Sequence, residues 1–257
     1  MRMRGRVSKT SPSTKIQRRH TSPIMRPSMQ ERIVEKVLAR AQRKEDTNVE
    51  HDNRQQTETV QDGDTVKTEI PYTGPSRDAA WALLCEYTQS ESLRKHALAV
   101  EAAVLGYAGA EPADRMLWSV TAVLHDFDYE RWPSPEDHPM KGSAILAERG
   151  YPEAMRTAIL GHATYSGVAR DSRLAKVLFA CDELAGFIVA VALVRPSKKL
   201  ADVTVKSVKK KLKDKGFARQ VSREDIRQGV EDLGVEPDVH IATVLQGMQA
   251  AAESLGL

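Results

Sequence analysis

The stretch Val120-Thr121-Ala122-Val123-Leu124-His125-Asp126-Phe127-Asp128-Tyr129 decides how the chain is read. Leu117, Val120, Thr121 and Leu124 recur at helical spacing, so the run predicts the last turns of a buried helix. The turn-rich Arg131-Trp132-Pro133-Ser134-Pro135 ends it. His125 and Asp126 fall where helix meets loop. An imidazole and a carboxylate at the end of a core helix are costly unless something pairs them. A divalent metal ion would, since both groups are ligands for first-row metals.

Outward from this stretch, the rest of the chain supplies helices and further ligands. Ser76 is placed to cap a helix through Trp81, Leu84 and Cys85. A second helix is expected over 91–108, with Leu93, Val100, Ala103, Val104 and Tyr107 on one face and His96 among them. Glu111-Pro112 opens the helix that runs into His125-Asp126. Pro139 suits a first helical position, and that helix stops at Gly150. After Tyr151-Pro152, Met155, Ala158, Ile159 and His162 share a face. Asp171 or Ser172 caps the next helix, whose stripe is Leu174, Leu178, Cys181, Ala185, Val189 and Ala192, with Asp182 beside it. Ser222 and Asp225 form a candidate capping box, and Pro237 opens a final helix. No strand alternation and no repeat is apparent. The expected fold is all-α, with eight or nine helices in a domain over 76–257.

Residues 1–75 read differently. They carry 15 Lys and Arg against 10 Asp and Glu, so the small positive net charge of the chain resides there and the remainder is slightly acidic. The first 28 residues hold no acid at all, are rich in Ser, Thr and Pro, and have too little apolar surface to offset their ordering entropy. An Arg- and Ser-rich, acid-poor start resembles an organelle transit peptide, but an irregular, disordered extension is the preferred reading. Ile33, Val34, Val37, Leu38 and Ala41 suggest a short amphipathic helix inside it.

Charged residues make up 28% and aromatics 5% of the chain, which suits a soluble helical protein better than a sandwich or barrel. The longest apolar run, near Phe187 to Val194, is too short to span a membrane. Cys85 and Cys181 have no CxxC spacing, and a reducing cytoplasm is the expected location. Lys198, Lys199, Lys206, Lys209, Lys210, Lys211, Lys213 and Lys215 make a basic segment nearly without aromatics. That argues against a single-stranded nucleic-acid platform and for a solvated face, or a rim that attracts a small anion.

His96, His125, Asp126 and Asp182 stand out together, on three helices and on or beside apolar faces. Each alone suits a hydrogen-bonded core network. Jointly they favour a metal site. In this order on an all-α scaffold they resemble the signature of the HD-domain metal-dependent phosphohydrolases, over roughly residues 90–194. Lys206 to Lys213, followed by Phe217-Ala218, is similar to a segment of a bacterial subgroup of HD proteins. His138 and His162 fall where two-metal relatives, such as HD-GYP phosphodiesterases and diadenosine tetraphosphate hydrolases, carry extra histidines.

The resemblance implies a divalent cofactor (manganese, iron, magnesium, cobalt or zinc), one ion or two. It implies that Asp126 bridges the two, with His138 and His162 serving the second. The implied reaction is hydrolysis of a phosphate ester of a nucleotide or similar small anion. One departure is Tyr129, where many two-metal relatives have a lysine. That keeps open a non-catalytic HD module that binds metal or nucleotide. Asp128 is the candidate for orienting a nucleophilic water, with Glu183 as a further proton acceptor. Lys141, Arg131 and Arg170 are candidates for contacting the phosphate.

Overall fold

The computed structural model describes residues 72–110 and 112–257. The extension expected over 1–75, with its short amphipathic helix, lies almost wholly outside the described residues. Among the described residues there are ten α-helices and no strand. In chain order they are α1 (Arg77–Tyr87), α2 (Glu91–Leu105), α3 (Pro112–Leu124), α4 (Met140–Glu148), α5 (Glu153–His162), α6 (Arg173–Leu193), α7 (Val205–Leu212), α8 (Arg223–Leu233), α9 (Pro237–Ala250) and α10 (Ala252–Leu255). Short 3₁₀ turns cover Thr164–Ser166 and Leu200–Asp202. None of the helices is long and apolar enough to cross a membrane.

Serine hydroxyls start four of these helices. Ser76, Ser90, Ser172 and Ser222 each accept the backbone N–H three residues on, satisfying one of the orphan donors of a helix start. The capping box expected at Ser222 and Asp225 is only half made. The Ser222 hydroxyl takes the Asp225 N–H, but the Ser222 N–H goes to Glu183 Oε2 at 3.1 Å, not to Asp225. The complete box is at Thr204 and Ser207, which begins α7.

α6 is the axis of the bundle. Val177, Leu178, Ala180, Cys181, Leu184, Ala185, Phe187 and Ile188 are all fully buried over about half of the helix surface, Ala175, Phe179 and Ala190 are buried on the other half, and α2, α5, α7, α8 and α9 pack round it. Its closest neighbour is α8, and Gly229 is the reason. A Cβ there would lie 2.6 Å from the Ala180 Cα, so only glycine lets the two backbones meet. Burying each large side chain such as Phe187 or Ile188 contributes roughly 1.5–3 kcal/mol. The helix that also carries Asp182 is therefore anchored by a large buried surface.

The loop after α3 is fixed from two sides. Thr88 Oγ1 donates to the Phe127 carbonyl at 2.9 Å, and Phe127 is fully buried against Tyr87, ring edge to face at 5.2 Å. Glu130 accepts the amides of Gln89 and Ser90 at 2.6 and 3.0 Å, at the start of α2. Residues 127–130 are thus held against the α1–α2 junction, and His125 and Asp126 are held with them.

Candidate metal centre

His96 reaches the centre from α2, His125 and Asp126 from the end of α3, His138 from the start of α4, His162 from the end of α5 and Asp182 from the middle of α6. All six converge. His96 Nε2 lies 2.9 Å from Asp182 Oδ1 and 3.9 Å from Asp126 Oδ2. His125 Nε2 lies 3.4 Å from Asp126 Oδ2 and 3.5 Å from Asp182 Oδ1. On the other side, His138 Nε2 and His162 Nε2 lie 3.3 and 3.2 Å from Asp126 Oδ1. The two oxygens of Asp126 therefore face two different groups: His96, His125 and Asp182 through Oδ2, and His138 and His162 through Oδ1. In each group the nearest nitrogen and oxygen atoms lie within 4.8 Å of one another, close enough to share one ion.

Which ring nitrogen faces inward is set by the other one. His125 Nδ1 donates to the Ala122 carbonyl at 2.8 Å, and His162 Nδ1 to the Ile159 carbonyl. A carbonyl can only accept, so the proton of each neutral ring sits on Nδ1 and the Nε2 lone pair points into the cluster. His138 Nδ1 donates to Asp128 Oδ1 at 2.8 Å, with the same result. His125 Nε2 is fully buried and has no hydrogen-bond partner. A buried nitrogen with an unused lone pair, 3.4 and 3.5 Å from two carboxylate oxygens, fits a cation between them.

The electrostatics point the same way. Burial opposes charge on Asp126, yet the charge of His125 beside it and the hydrogen bonds to His138 and His162 hold its carboxyl well below the usual range. Burial likewise opposes charge on Asp182, which His125 and His96 keep ionised. The reciprocal effect draws protons onto the rings. Burial disfavours the His138 imidazolium, but Asp126 and Asp128 push its pKa up to about 9. Two buried carboxylates that attract protons are what a divalent cation would neutralise, displacing those protons as it binds.

The other sequence candidates are placed as follows. Asp128 is fully buried, with Oδ1 on His138 Nδ1 and Oδ2 taking the Gly142 N–H at 2.8 Å. Each oxygen thus has a partner, and these two hydrogen bonds fix the Asp128 carboxylate and the His138 ring relative to each other. Gly142 makes that possible, because a Cβ there would lie 2.6 Å from the Asp128 Cγ. Glu183 Oε2 accepts the Ser222 N–H at 3.1 Å. Burial, then the charge of Asp182, raises its carboxyl to about 8, so it is protonated at neutral pH. Arg131 stacks over the Tyr87 ring at 3.9 Å, and Lys141 pairs with Asp137 at 3.0 Å. Arg170 donates to Asp232 and to the Gly161 carbonyl beside His162.

Two tyrosines border the cluster. The Tyr129 ring meets His138 edge to face, with centroids 5.1 Å apart. Tyr165, in the 3₁₀ turn after His162, is half exposed, and its phenol is raised to about 12 by burial and then by Asp126, Tyr129, Asp128 and Asp182. Sequence reasoning passed over Tyr165. Its only signal is that it sits three residues beyond His162. Comparison with protein-family models, with curated proteins and with solved structures finds no match for this chain.

Proposed function

We propose that the chain is a metal-dependent phosphohydrolase of the HD type, cleaving a phosphate ester of a nucleotide or a related small phosphate. The observation that carries the reading is the convergence of inward Nε2 lone pairs on the divided carboxylate of Asp126. His96, His125, Asp126 and Asp182 would hold one divalent ion, and Asp126, His138 and His162 a second. A bound divalent ion supplies charge neutralisation at the phosphoryl oxygens and lowers the pKa of water towards ~7. The chain's own part is placement. Ala122 and Ile159 fix the tautomers of His125 and His162 through their carbonyls, and Asp128 fixes that of His138. Tyr165 stands half exposed beside the carboxylates, placed to contact an incoming ester.

A non-catalytic HD module that binds metal or nucleotide is the second reading, favoured by one observation. Arg131 and Lys141 are engaged with Tyr87 and Asp137, and Tyr129 carries no charge for a phosphate. The experiment is metal analysis of the purified protein with hydrolysis of an aryl phosphate and a bis-aryl phosphate in manganese, before and after chelation. A screen over nucleotides, cyclic dinucleotides and dinucleoside polyphosphates follows. Metal-dependent turnover of one of these is expected. Bound metal without turnover of any would select the non-catalytic module.

A further inference from the structure

Hydrolysis of a phosphate ester needs a proton at the oxygen that leaves, and the clustered side chains do not offer one. The Nδ1 protons of His125, His138 and His162 are spent on the Ala122 carbonyl, Asp128 and the Ile159 carbonyl. Asp126 and Asp182 are ionised. Glu183 is protonated, but it is turned to the Ser222 N–H. Arg131 is engaged with Tyr87 and the Glu86 carbonyl, Lys141 with Asp137 and Arg170 with Asp232.

Tyr165 is placed differently. It is one of three large apolar side chains left exposed among the described residues, and unlike Met116 and Val239 it follows a residue of the cluster. The turn that carries it is firmly built. The Ser166 N–H donates to the Ala163 carbonyl at 3.0 Å, and the Ser166 hydroxyl donates to the Leu160 carbonyl at 2.6 Å, in the last turn of α5. The Val168 N–H donates to that same hydroxyl at 3.2 Å, and Gly167 closes the turn at a φ of 70°. His162 sits in the helical turn to which this loop is tied, with its Nε2 3.2 Å from Asp126 Oδ1. The phenol thus stands three residues from a cluster histidine, on backbone pinned to that histidine's own turn. It is close enough to Asp126, Tyr129, Asp128 and Asp182, from the end of α3, the loop after it and α6, to feel their charges. Its hydroxyl makes no hydrogen bond among the described residues, and half of the side chain faces solvent. It is protonated at neutral pH, since an ordinary phenol has a pKa of about 10 and burial, followed by those neighbours, pushes this one higher.

We propose that the Tyr165 hydroxyl is the proton donor to the ester oxygen of a substrate held at the cluster, which makes esters of alcohols the substrate class and not phosphoric anhydrides. The inference rests on the metal-dependent hydrolase reading. As the oxygen of the attacking water bonds to phosphorus, the bond from phosphorus to the ester oxygen breaks. The electron pair left on that oxygen takes the Tyr165 proton, and the proton shed by the water restores the phenol. An alkoxide is a strong base and leaves poorly without that proton. A phosphate leaving from an anhydride is a far weaker base and gains little from it.

The test uses the full chain in manganese and two substrates of nearly the same shape, phenyl phosphate and 4-nitrophenyl phosphate. The nitrophenolate is the weaker base and leaves without a proton. Tyr165→Phe removes the hydroxyl alone. It should lower kcat/KM for phenyl phosphate about 100-fold, the size of a general-acid contribution, and that for 4-nitrophenyl phosphate by less than about threefold. Phenylphosphonate, which has no ester oxygen, should bind wild type and variant equally in a calorimetric titration. Melting temperature and metal content should match between the two, and a fall in either overturns the role of Tyr165. Equal losses on both substrates, or no loss on either, also overturn it. So does weaker phenylphosphonate binding by the variant, which would make Tyr165 a phosphate-binding residue. A wild type that turns over neither substrate overturns the hydrolase reading itself, and the role of Tyr165 with it.

Discussion

His125 and His240 are both fully buried in the same helical core, and their ring nitrogens are treated in opposite ways. His240 joins three helices. Its Nδ1 accepts from the Tyr107 hydroxyl at 2.6 Å, and its Nε2 donates to the Ala180 carbonyl at 3.1 Å. Every polar atom there has a partner, and the ring is a structural link between α2, α9 and α6. His125 has one partner, the Ala122 carbonyl, and its other nitrogen faces two carboxylates without a hydrogen bond. Burial alone therefore says nothing about function. What separates a core histidine from a ligand is whether the second nitrogen is spent inside the protein.

The strongest way to break the comparison is to remove the carboxylate that both groups share. Asp126→Ala should empty both metal positions, whereas His138→Ala or His162→Ala should empty only the second. Metal content per chain decides this. Equal stoichiometry in the wild type and His162→Ala, at one ion or none, would leave at most the His96, His125, Asp126 and Asp182 site.

Next come the two histidines themselves. His240→Ala removes a fully buried ring and its hydrogen bonds to Tyr107 and Ala180, and should lower stability by about 2–4 kcal/mol through the lost bonds and the cavity left behind. Metal content should not change. His125→Ala should empty the first metal position and, in metal-free protein, cost much less, since it also removes an unpaired nitrogen. Denaturant unfolding of both variants, with and without metal, is the measurement. A reversal of the two effects would sink the distinction.

A smaller effect is expected at Gly142. A methyl group there displaces the Asp128 carboxylate, so Gly142→Ala should cost about 1–3 kcal/mol through overpacking. It should also weaken the second metal position by roughly 10–100-fold, as loss of a ligand's orienting partner does. The first position should be spared, and a metal titration resolves the two.

The smallest effect is the acid response of His240. Burial lowers its pKa below the usual 6.5, against the hydrogen bond to Ala180, which raises it. The unfolded chain therefore takes up a proton first as pH falls, and stability drops from about pH 6.5 down to the folded pKa. His240→Gln should flatten the fall in melting temperature between pH 7 and pH 5, and an unchanged slope would assign that fall to other groups.

Much of this was legible from residue spacing. The apolar stripes with Ser76, Ser172 and Pro237 mark helix starts that the structure places within a residue, and His96, His125, Asp126 and Asp182, singled out jointly by sequence, do come together in space. Three points were not legible. The N–H of Ser222 has a local acceptor in Asp225, but the fold brings Glu183 to it from 39 positions away. Asp128 reads as a turn carboxylate beside the site, and only the three-dimensional approach of Gly142 reveals that it is fully engaged with His138. Lys211 belongs to the basic run by sequence, yet it is half-buried with its ammonium 4.7 Å from the Phe217 ring, because α7 packs one edge against the core. Helix starts depend on neighbours a few residues away. Side-chain commitments depend on partners that only topology supplies.

His96 and Asp182 are 86 positions apart in the chain and 2.9 Å apart in space. Seen as connectivity, an ion between them is a cross-link that closes a long loop, and every other ligand of the cluster lies inside that loop. Closing a loop of this length restricts the unfolded chain, and the restriction grows only slowly with length. Asp182 is also the only ligand supplied from beyond the exposed turn at Tyr165. A single backbone cut in that turn would divide the ligands five to one between the two pieces. A chain nicked there would still be held together by the packing of α6 and α9 against α2, and an ion bound at the cluster would add one more tie between the pieces.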